Sequence, residues 1–122
     1  MSDIIEENRQ HIEAALEYGG GTHTFEDVRD MIHKGTAQIW VGPDGCAVTE
    51  IIVYPRKRVL HCFLAGGKLE QIVDMIDSAV AWGKTQGCSD LTLSGRMGWQ
   101  RALAQYGFKP VLITLAKGFE DA

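Results

Sequence analysis

The sequence predicts a mixed α/β domain of 122 residues, in which helices cover both faces of one mixed sheet. Three observations support this fold class. Residues 59–64 form a short apolar run, residues 69–80 carry apolar side chains at helical spacing, and residues 91–93 resume a two-residue alternation. A helix between two such strands implies a parallel pair joined by a right-handed crossover. The whole chain, 1–122, is expected to form a single domain.

Two helices are predicted ahead of the first strand. Asp3 followed by Glu6 has the pattern of a capping box, and an apolar stripe continues this first helix to Leu16. Thr24 with Asp27 repeats the pattern at the start of a second helix, which a glycine at position 35 ends. Both helices are interpreted as covers for the sheet.

Three strands are expected next, over residues 36–41, 46–54 and 59–64. The turns between them, 42–45 and 55–58, are too short for a crossover connection, so the strands form antiparallel hairpins. The sheet is therefore predicted to begin as an antiparallel meander and to continue with the parallel β-α-β crossover.

The last part of the chain is predicted to add one helix and one strand. The crossover helix ends near Gly87, since glycine suits the left-handed position after a helix. A short helix follows over about 99–106. Residues 111–116 are apolar on both sides of a two-residue alternation, which predicts a final, largely buried strand.

Composition excludes several classes of function. A net charge of −4 and a pI near 5.5 argue against a nucleic-acid-binding surface. Cys46, Cys62 and Cys88 are odd in number and far apart, and the histidines lack metal-ligand spacing, so neither a disulfide framework nor a metal site is expected. No apolar run reaches membrane-spanning length. The chain is expected in the cytoplasm, or in a particle assembled there.

The element order, the Gly-Gly pair after the third strand and the late sequence YGFKP together resemble the GNAT N-acetyltransferases over nearly the whole chain. The resemblance implies acetyl-CoA as cofactor, with its pantetheine arm between strands 59–64 and 90–94 and its pyrophosphate at the turn into the long helix. Carried over by position, the pantetheine contacts are Phe63, Leu64 and Ala65, and the pyrophosphate contacts are Gly66, Gly67, Lys68 and Leu69.

Two departures from the family pattern predict weakened chemistry. An active loop normally reads Arg/Gln-x-x-Gly-x-Gly/Ala, whereas this chain has AGGKLEQI, with Glu70 and Gln71 in place of small residues that let backbone approach a phosphate. The tyrosine that commonly serves as the acid is replaced by Leu103. Tyr106, one turn away, is the candidate for a relocated acid, and a packed aromatic role is the favoured interpretation.

The segment SGRMGWQRALAQYGFKP, residues 94–110, resembles one GNAT-like branch in particular: small proteins of tailed phages and prophages, including internal virion proteins. This resemblance implies a virion-associated or interaction protein with little or no transferase activity, bound to phage structural proteins or to another protein. The alternative is an acetyl-CoA-dependent N-acetyltransferase acting on a small-molecule or protein amine. A cleft between strands 59–64 and 90–94 that is open favours the enzyme, and one filled by side chains favours the interaction protein.

An acetyltransferase also needs a general base to take a proton from its amine substrate. The candidates are Glu50 and His61, both within predicted strands. A two-residue period places Glu50 on the face of Val48, and His61 on the face of Val59 and Phe63. A hydrogen-bonded structural role is the favoured alternative for both.

Overall fold

The structure is a computed structural model that describes residues 3–96 and 98–121. Two short 3-10 turns follow the last helix, at Ala104–Tyr106 and Phe119–Asp121. The helices are α1 Ile4–Glu7, α2 Arg9–Leu16, α3 Phe25–His33, α4 Leu69–Thr85 and α5 Gly98–Leu103. The strands are β1 Gln38–Gly42, β2 Gly45–Val53, β3 Arg58–Gly67 and β4 Asp90–Leu93.

The four strands form one mixed sheet in the order β1-β2-β3-β4. β1 with β2 and β2 with β3 are antiparallel pairs, while β3 and β4 are parallel and joined through α4. The predicted fold class is therefore confirmed, including the N-terminal meander and the crossover. Short turns allow only antiparallel neighbours, whereas the 17-residue helix α4 returns the chain to a parallel position.

The first predicted helix is in fact two helices, because the chain breaks at Asn8. Asp3 caps α1 by accepting hydrogen bonds from the N–H groups of Ile5 and Glu6. The Asn8 side chain then donates to the carbonyl of Ile4 at 2.9 Å. Asn8 has φ −104° and ψ 12°, outside the helical region, so α2 starts afresh at Arg9. The Thr24 capping box at the start of α3 is confirmed.

Helices cover both faces of the sheet. On one face, α1, α2 and α3 pack on the sheet around a core that includes Ile12, Val28, Val48 and Leu64. On the other face, Met75 of α4 packs against side chains of β2 and β3. An element with one apolar face must bury that face, and this three-layer arrangement does so for helices and sheet together.

The predicted final strand is wrong. Residues 109–118 form no strand, and the side chains of Val111, Leu112, Ile113 and Leu115 are 77% to 89% exposed. The apolar alternation predicts a strand covered on both faces, but a strand forms only when its backbone groups pair with a neighbouring strand. In the described part of the chain this segment has none.

Candidate functional site

The strands β3 and β4 separate partway along β3. Their pairing runs from Val59 with Asp90 to Cys62 with Leu93, and the N–H of Ser94 then donates to the carbonyl of Cys62 at 3.0 Å. Beyond this point β3 continues to Gly67 without β4. The separation lies where the family resemblance places the pantetheine arm.

A β-bulge in β3 lies at the same point. Thr49 pairs with Cys62 and Val48 pairs with Leu64, so Phe63 is the extra residue. Because of the bulge, Phe63 and Leu64 both pack against the cluster of α1, α2 and α3. Leu64 is 5% exposed, so its side chain belongs to the core.

The two candidate bases lie opposite each other at this level of the sheet. Glu50 of β2 pairs with His61 of β3, and His61 in turn pairs with Thr92 of β4. The Thr92 hydroxyl lies 2.7 Å from His61 Nδ1, and the Ser94 hydroxyl lies 3.1 Å from His61 Nε2. A neutral imidazole donates from one nitrogen and accepts at the other, so both hydroxyls are satisfied.

Thr92 and Ser94 were not predicted as site residues. The sequence places them at the end of a strand, but only the parallel register between β3 and β4 brings them to His61. Tyr106, the third catalytic candidate, is 47% exposed on the 3-10 turn and has no part in this hydrogen-bond cluster. The structure therefore joins two of the three candidates and leaves the third apart.

Burial lowers the pKa of His61, and the nearby Glu50 carboxylate opposes this by raising it. The neutral imidazole is therefore favoured in the folded protein. Because the folded pKa lies below the unfolded value, the contribution of His61 to stability is complete above about pH 6.5 and is lost as the pH falls through the folded pKa.

We expect Glu50→Gln to lower the pKa of His61 further, since it removes the charge that stabilises the imidazolium. An NMR titration of the histidine ring protons measures this pKa directly. Glu17→Gln, at an exposed residue just after α2, is the matched control and is expected to leave the His61 titration unchanged. A His61 pKa that rises in Glu50→Gln contradicts the proximity of the two groups.

The connection from β3 into α4 is a single residue. β3 ends at Gly67 and α4 begins at Leu69, so only Lys68 lies between them. The backbone N–H of Lys68 donates to the carbonyl of Asp44 at 3.1 Å. The N–H groups of Leu69 and Glu70, in the first turn of α4, have no backbone partner within the described ranges.

Both glycines of the predicted pyrophosphate site are in close contact with other backbone. A Cβ at Gly66 would overlap the carbonyl of His11 in α2. A Cβ at Gly67, which has φ +102°, would overlap the Asp44 carbonyl and the Gly45 Cα. These glycines thus allow the turn between β1 and β2, and the helix α2, to pack directly on the end of β3.

Asp44 places a carboxylate beside the only cationic side chain of this connection. Its oxygens lie 3.4 Å from Lys68 Nζ and 3.7 Å from His11 Nε2. Lys68 is 65% exposed and Asp44 is 49% exposed, so the pair is solvent-screened. An anion approaching Lys68 therefore meets the negative charge of Asp44.

A narrow apolar cavity of about 30 Å³ lies between α4 and the sheet near the separation of β3 and β4. Leu103, in the position of the family's tyrosine, is 2% exposed and lines this cavity with Leu93 and Cys62. Ala65 is half-buried and packs with the same group of side chains. Apolar side chains thus line the space between α4 and the two strands.

Two cysteines are held as neutral thiols. Burial raises the pKa of both Cys46 and Cys62 to about 12. The thiolate is the reactive form, so neither group is an effective nucleophile near neutral pH. No group of three or more metal-ligating side chains is found among residues 3–96 and 98–121. In the same ranges, every helix is too short or too polar to cross a bilayer.

Several solved structures share this fold. A predicted acetyltransferase with acetyl-CoA from Clostridium acetobutylicum matches with a TM-score of 0.67 and 12% identity, over 91% of this chain and 88% of that protein. An acetyltransferase from Trypanosoma brucei matches with a TM-score of 0.61 and 14% identity, over 90% of this chain and 94% of that protein.

The glucosamine-6-phosphate N-acetyltransferase of Arabidopsis thaliana matches with a TM-score of 0.59 and 14% identity, over 94% of this chain and 93% of that protein. No family model and no curated protein matches the sequence. At these identities the likeness concerns the fold, which spans nearly the full length of both partners in each comparison. The chain therefore has the GNAT acetyltransferase fold.

Proposed function

We propose that this chain is a GNAT-like protein with little or no acetyl-CoA-dependent transferase activity, and that it serves as an interaction or virion-associated protein of the kind found in tailed phages and prophages. The observation that carries the proposal is the one-residue connection between β3 and α4. A phosphate-binding loop needs several backbone N–H groups that converge on one anion. Lys68, the single residue of this connection, adds only one N–H group to those of the first turn of α4.

The contacts of this connection support the same conclusion. The Lys68 N–H is already bonded to Asp44, and the Lys68 ammonium faces the Asp44 carboxylate. The first turn of α4, in which the N–H groups of Leu69 and Glu70 have no backbone partner within the described ranges, also carries the Glu70 carboxylate. A pyrophosphate at this position meets two carboxylates within the same few residues, which opposes its binding electrostatically.

The space for the pantetheine arm is equally restricted. Leu64 is committed to the core, and the neighbouring apolar cavity measures about 30 Å³. Leu103 is buried in the slot of the family's acid and has no proton to donate. We therefore infer that the residues at the seven positions that the family resemblance assigns to acetyl-CoA do not fit this cofactor.

The phage and virion part of the proposal is supported by the sequence of residues 94–110 alone. In this segment Arg96 lies over the ring of Tyr18, with 4.5 Å from its Cζ to the ring centroid. This cation–π contact ties the loop before α5 to the end of α2. The partners expected on this proposal are phage structural proteins or another protein, and the location is the host cytoplasm or the virion.

Titration calorimetry with acetyl-CoA tests the loss of the cofactor. We expect no binding with up to about 1 mM ligand, which corresponds to less than about 4 kcal/mol of binding free energy. Lys68→Glu is the test variant and Lys84→Glu is its matched control. Both reverse the charge of a lysine, Lys68 at the start of α4 and Lys84 in its last turn. Micromolar binding that Lys68→Glu weakens and Lys84→Glu preserves contradicts the proposal.

The interaction role is tested separately with particles. We expect the chain in phage particles purified through a density gradient from an induced host that encodes it, at a fixed ratio to the capsid protein by quantitative mass spectrometry. A chain that stays in the host lysate and is absent from gradient-purified particles contradicts the virion-associated role.

A second candidate function, N-acetyl transfer to a small-molecule or protein amine, is favoured by one observation. Glu50 and His61 face each other where β3 and β4 separate, and His61 is held neutral by burial. A neutral imidazole can accept a proton from an amine. On this reading we expect thiol release from acetyl-CoA with an amine panel, and a loss of about 100-fold or more in His61→Gln. Absence of thiol release in the unmodified protein removes this candidate.

A further inference from the structure

Ser94 and His61 form a hydroxyl–imidazole pair where β4 ends. The Ser94 hydroxyl lies 3.1 Å from Nε2 of His61, which is hydrogen-bond distance. Ser94 is exposed immediately after β4, whereas His61 is half-buried within β3. A serine hydroxyl is a weak nucleophile until a neighbouring base accepts its proton. An exposed serine that is held against a neutral histidine therefore has the arrangement that acyl chemistry requires.

Three contacts of the backbone fix the position of Ser94. Its N–H donates to the carbonyl of Cys62 at 3.0 Å, so the residue continues the parallel register of β4 with β3. A Cβ at Gly95 would lie 3.2 Å from the Leu93 side chain and 3.6 Å from the Trp99 ring. The backbone after Ser94 thus packs closely on both side chains. A nucleophile on such a supported strand end keeps its orientation better than one on a free loop.

The other nitrogen of the His61 ring also has a hydroxyl partner. Thr92 Oγ1 lies 2.7 Å from His61 Nδ1. When Nδ1 donates its proton to Thr92, Nε2 presents a lone pair to Ser94, which is the tautomer that a general base requires. Burial lowers the pKa of His61, so the ring is neutral before reaction, and the Glu50 carboxylate favours the imidazolium that forms.

A second exposed serine at the other end of β4 lacks this arrangement. Ser89 precedes the strand, and its hydroxyl bonds with the Asp90 carboxylate rather than with a histidine. The hydrogen bonds from Ser89 and Lys57 lower the pKa of Asp90, so this carboxylate is a poorer base than a neutral imidazole. Of the two serines that flank β4, only Ser94 has an activating base.

We propose that Ser94 is a nucleophile that takes up the acyl group of a small carboxylic ester, with His61 as its general base. The Ser94 oxygen attacks the ester carbonyl while its proton passes to His61 Nε2. The bond to the leaving alcohol breaks, that alcohol takes the proton from the imidazolium, and the acyl group stays on Ser94 as an ester. Water, deprotonated by the same imidazole, then releases the carboxylic acid and restores the hydroxyl. Thr92 acts through His61 and is a positioning residue.

The hydroxyl partner of Nδ1 limits the class of substrate. In a complete serine triad a carboxylate holds this nitrogen, and its replacement by an amide lowers kcat by about 10⁴. Thr92 stabilises the imidazolium less than a carboxylate does, so esters of acidic alcohols are expected to react and amides are not. Coenzyme A takes no part in these steps, so they hold whether or not the proposed function does.

Labelling with a fluorophosphonate tests the nucleophile. The Ser94 oxygen displaces fluoride from phosphorus, and peptide mass spectrometry locates the stable ester. We expect Ser94 to be labelled in the unmodified chain, at a rate that His61→Gln lowers by about 100-fold. Ser89→Ala is the matched control and is expected to leave the labelling of Ser94 unchanged. An unlabelled Ser94, or a rate that His61→Gln does not change, overturns the proposal.

Hydrolysis of p-nitrophenyl acetate gives a second readout, in which His61 is kept. We expect Ser94→Ala to slow the release of nitrophenol by about 100-fold, with unchanged circular dichroism because the change removes one exposed hydroxyl. Thr92→Val is expected to lower kcat, and Thr92→Ser, which keeps the hydroxyl, to restore it. Release that persists in Ser94→Ala shows direct attack of an imidazole on the ester and contradicts a serine nucleophile.

Discussion

Gly67→Ala is expected to reduce the free energy of unfolding by about 3 kcal/mol or more, since it combines a strained backbone conformation with overlap against fixed atoms. Gly67 has φ +102°, a value that side-chain-bearing residues rarely adopt. The added Cβ meets the carbonyl of Asp44 and the Cα of Gly45, both backbone atoms that cannot rotate away. Urea unfolding followed by circular dichroism measures the change.

The matched control is Gly20→Ala. Gly20 also has positive φ, +74°, but no atom lies within 4 Å of the added Cβ. The control therefore carries only the backbone strain, about 1–2 kcal/mol. Equal losses in the two variants would mean that the turn between β1 and β2 does not pack tightly on the end of β3. That outcome would also weaken the argument that this connection is closed to a phosphate.

Leu60→Ala is expected to reduce the free energy of unfolding by about 2–5 kcal/mol, because it leaves a cavity beneath α4. Leu60 is 1% exposed in the middle of β3, and its side chain lies against Gly83 of α4. The contact joins β3 to the crossover helix α4. Chemical unfolding monitored by tryptophan fluorescence reports the loss.

Val53→Ala serves as the control for Leu60→Ala, since Val53 is a strand residue that is 65% exposed. Its truncation is expected to change stability by less than about 0.5 kcal/mol. If Leu60→Ala also costs less than 1 kcal/mol on this scale, the packing of α4 on β3 is looser than the structure indicates.

Local patterns were sufficient for most elements of the fold. The Thr24 capping box and the apolar stripes of α3 and α4 each act within one or two turns, so they are visible in the sequence. The break at Asn8 escaped prediction because Asp3 and the apolar stripe both favour one continuous helix. The break coincides with a side-chain hydrogen bond from Asn8 to the carbonyl of Ile4.

The candidate site was predicted in part. Period-two alternation placed Glu50 and His61 on strands, but their pairing across β2 and β3 depends on the strand register. The register shifts at Phe63, and a bulge is not marked by any residue type in this stretch. The partners Thr92 and Ser94 were found only when β4 was aligned with β3.

The C-terminal segment shows the limit of pattern reading most clearly. Residues 111–116 have the apolar pattern of a buried strand, which predicts that other parts of the protein cover both faces of this segment. The pattern does not identify the strand with which the segment would pair. Because strand formation depends on hydrogen bonds to another part of the chain or to another chain, the sequence pattern left its partner undetermined.

By itself, the sequence determined the order of the elements from α3 to α5, the antiparallel meander and the parallel crossover. These features follow from short-range periodicity, turn length and capping, which need only neighbouring residues. The tertiary structure alone decided that Lys68 is the whole connection into α4, that Asp44 packs against it, and that residues 109–118 stay exposed. Each depends on contacts between residues far apart in the chain, where the fit of two surfaces decides the outcome.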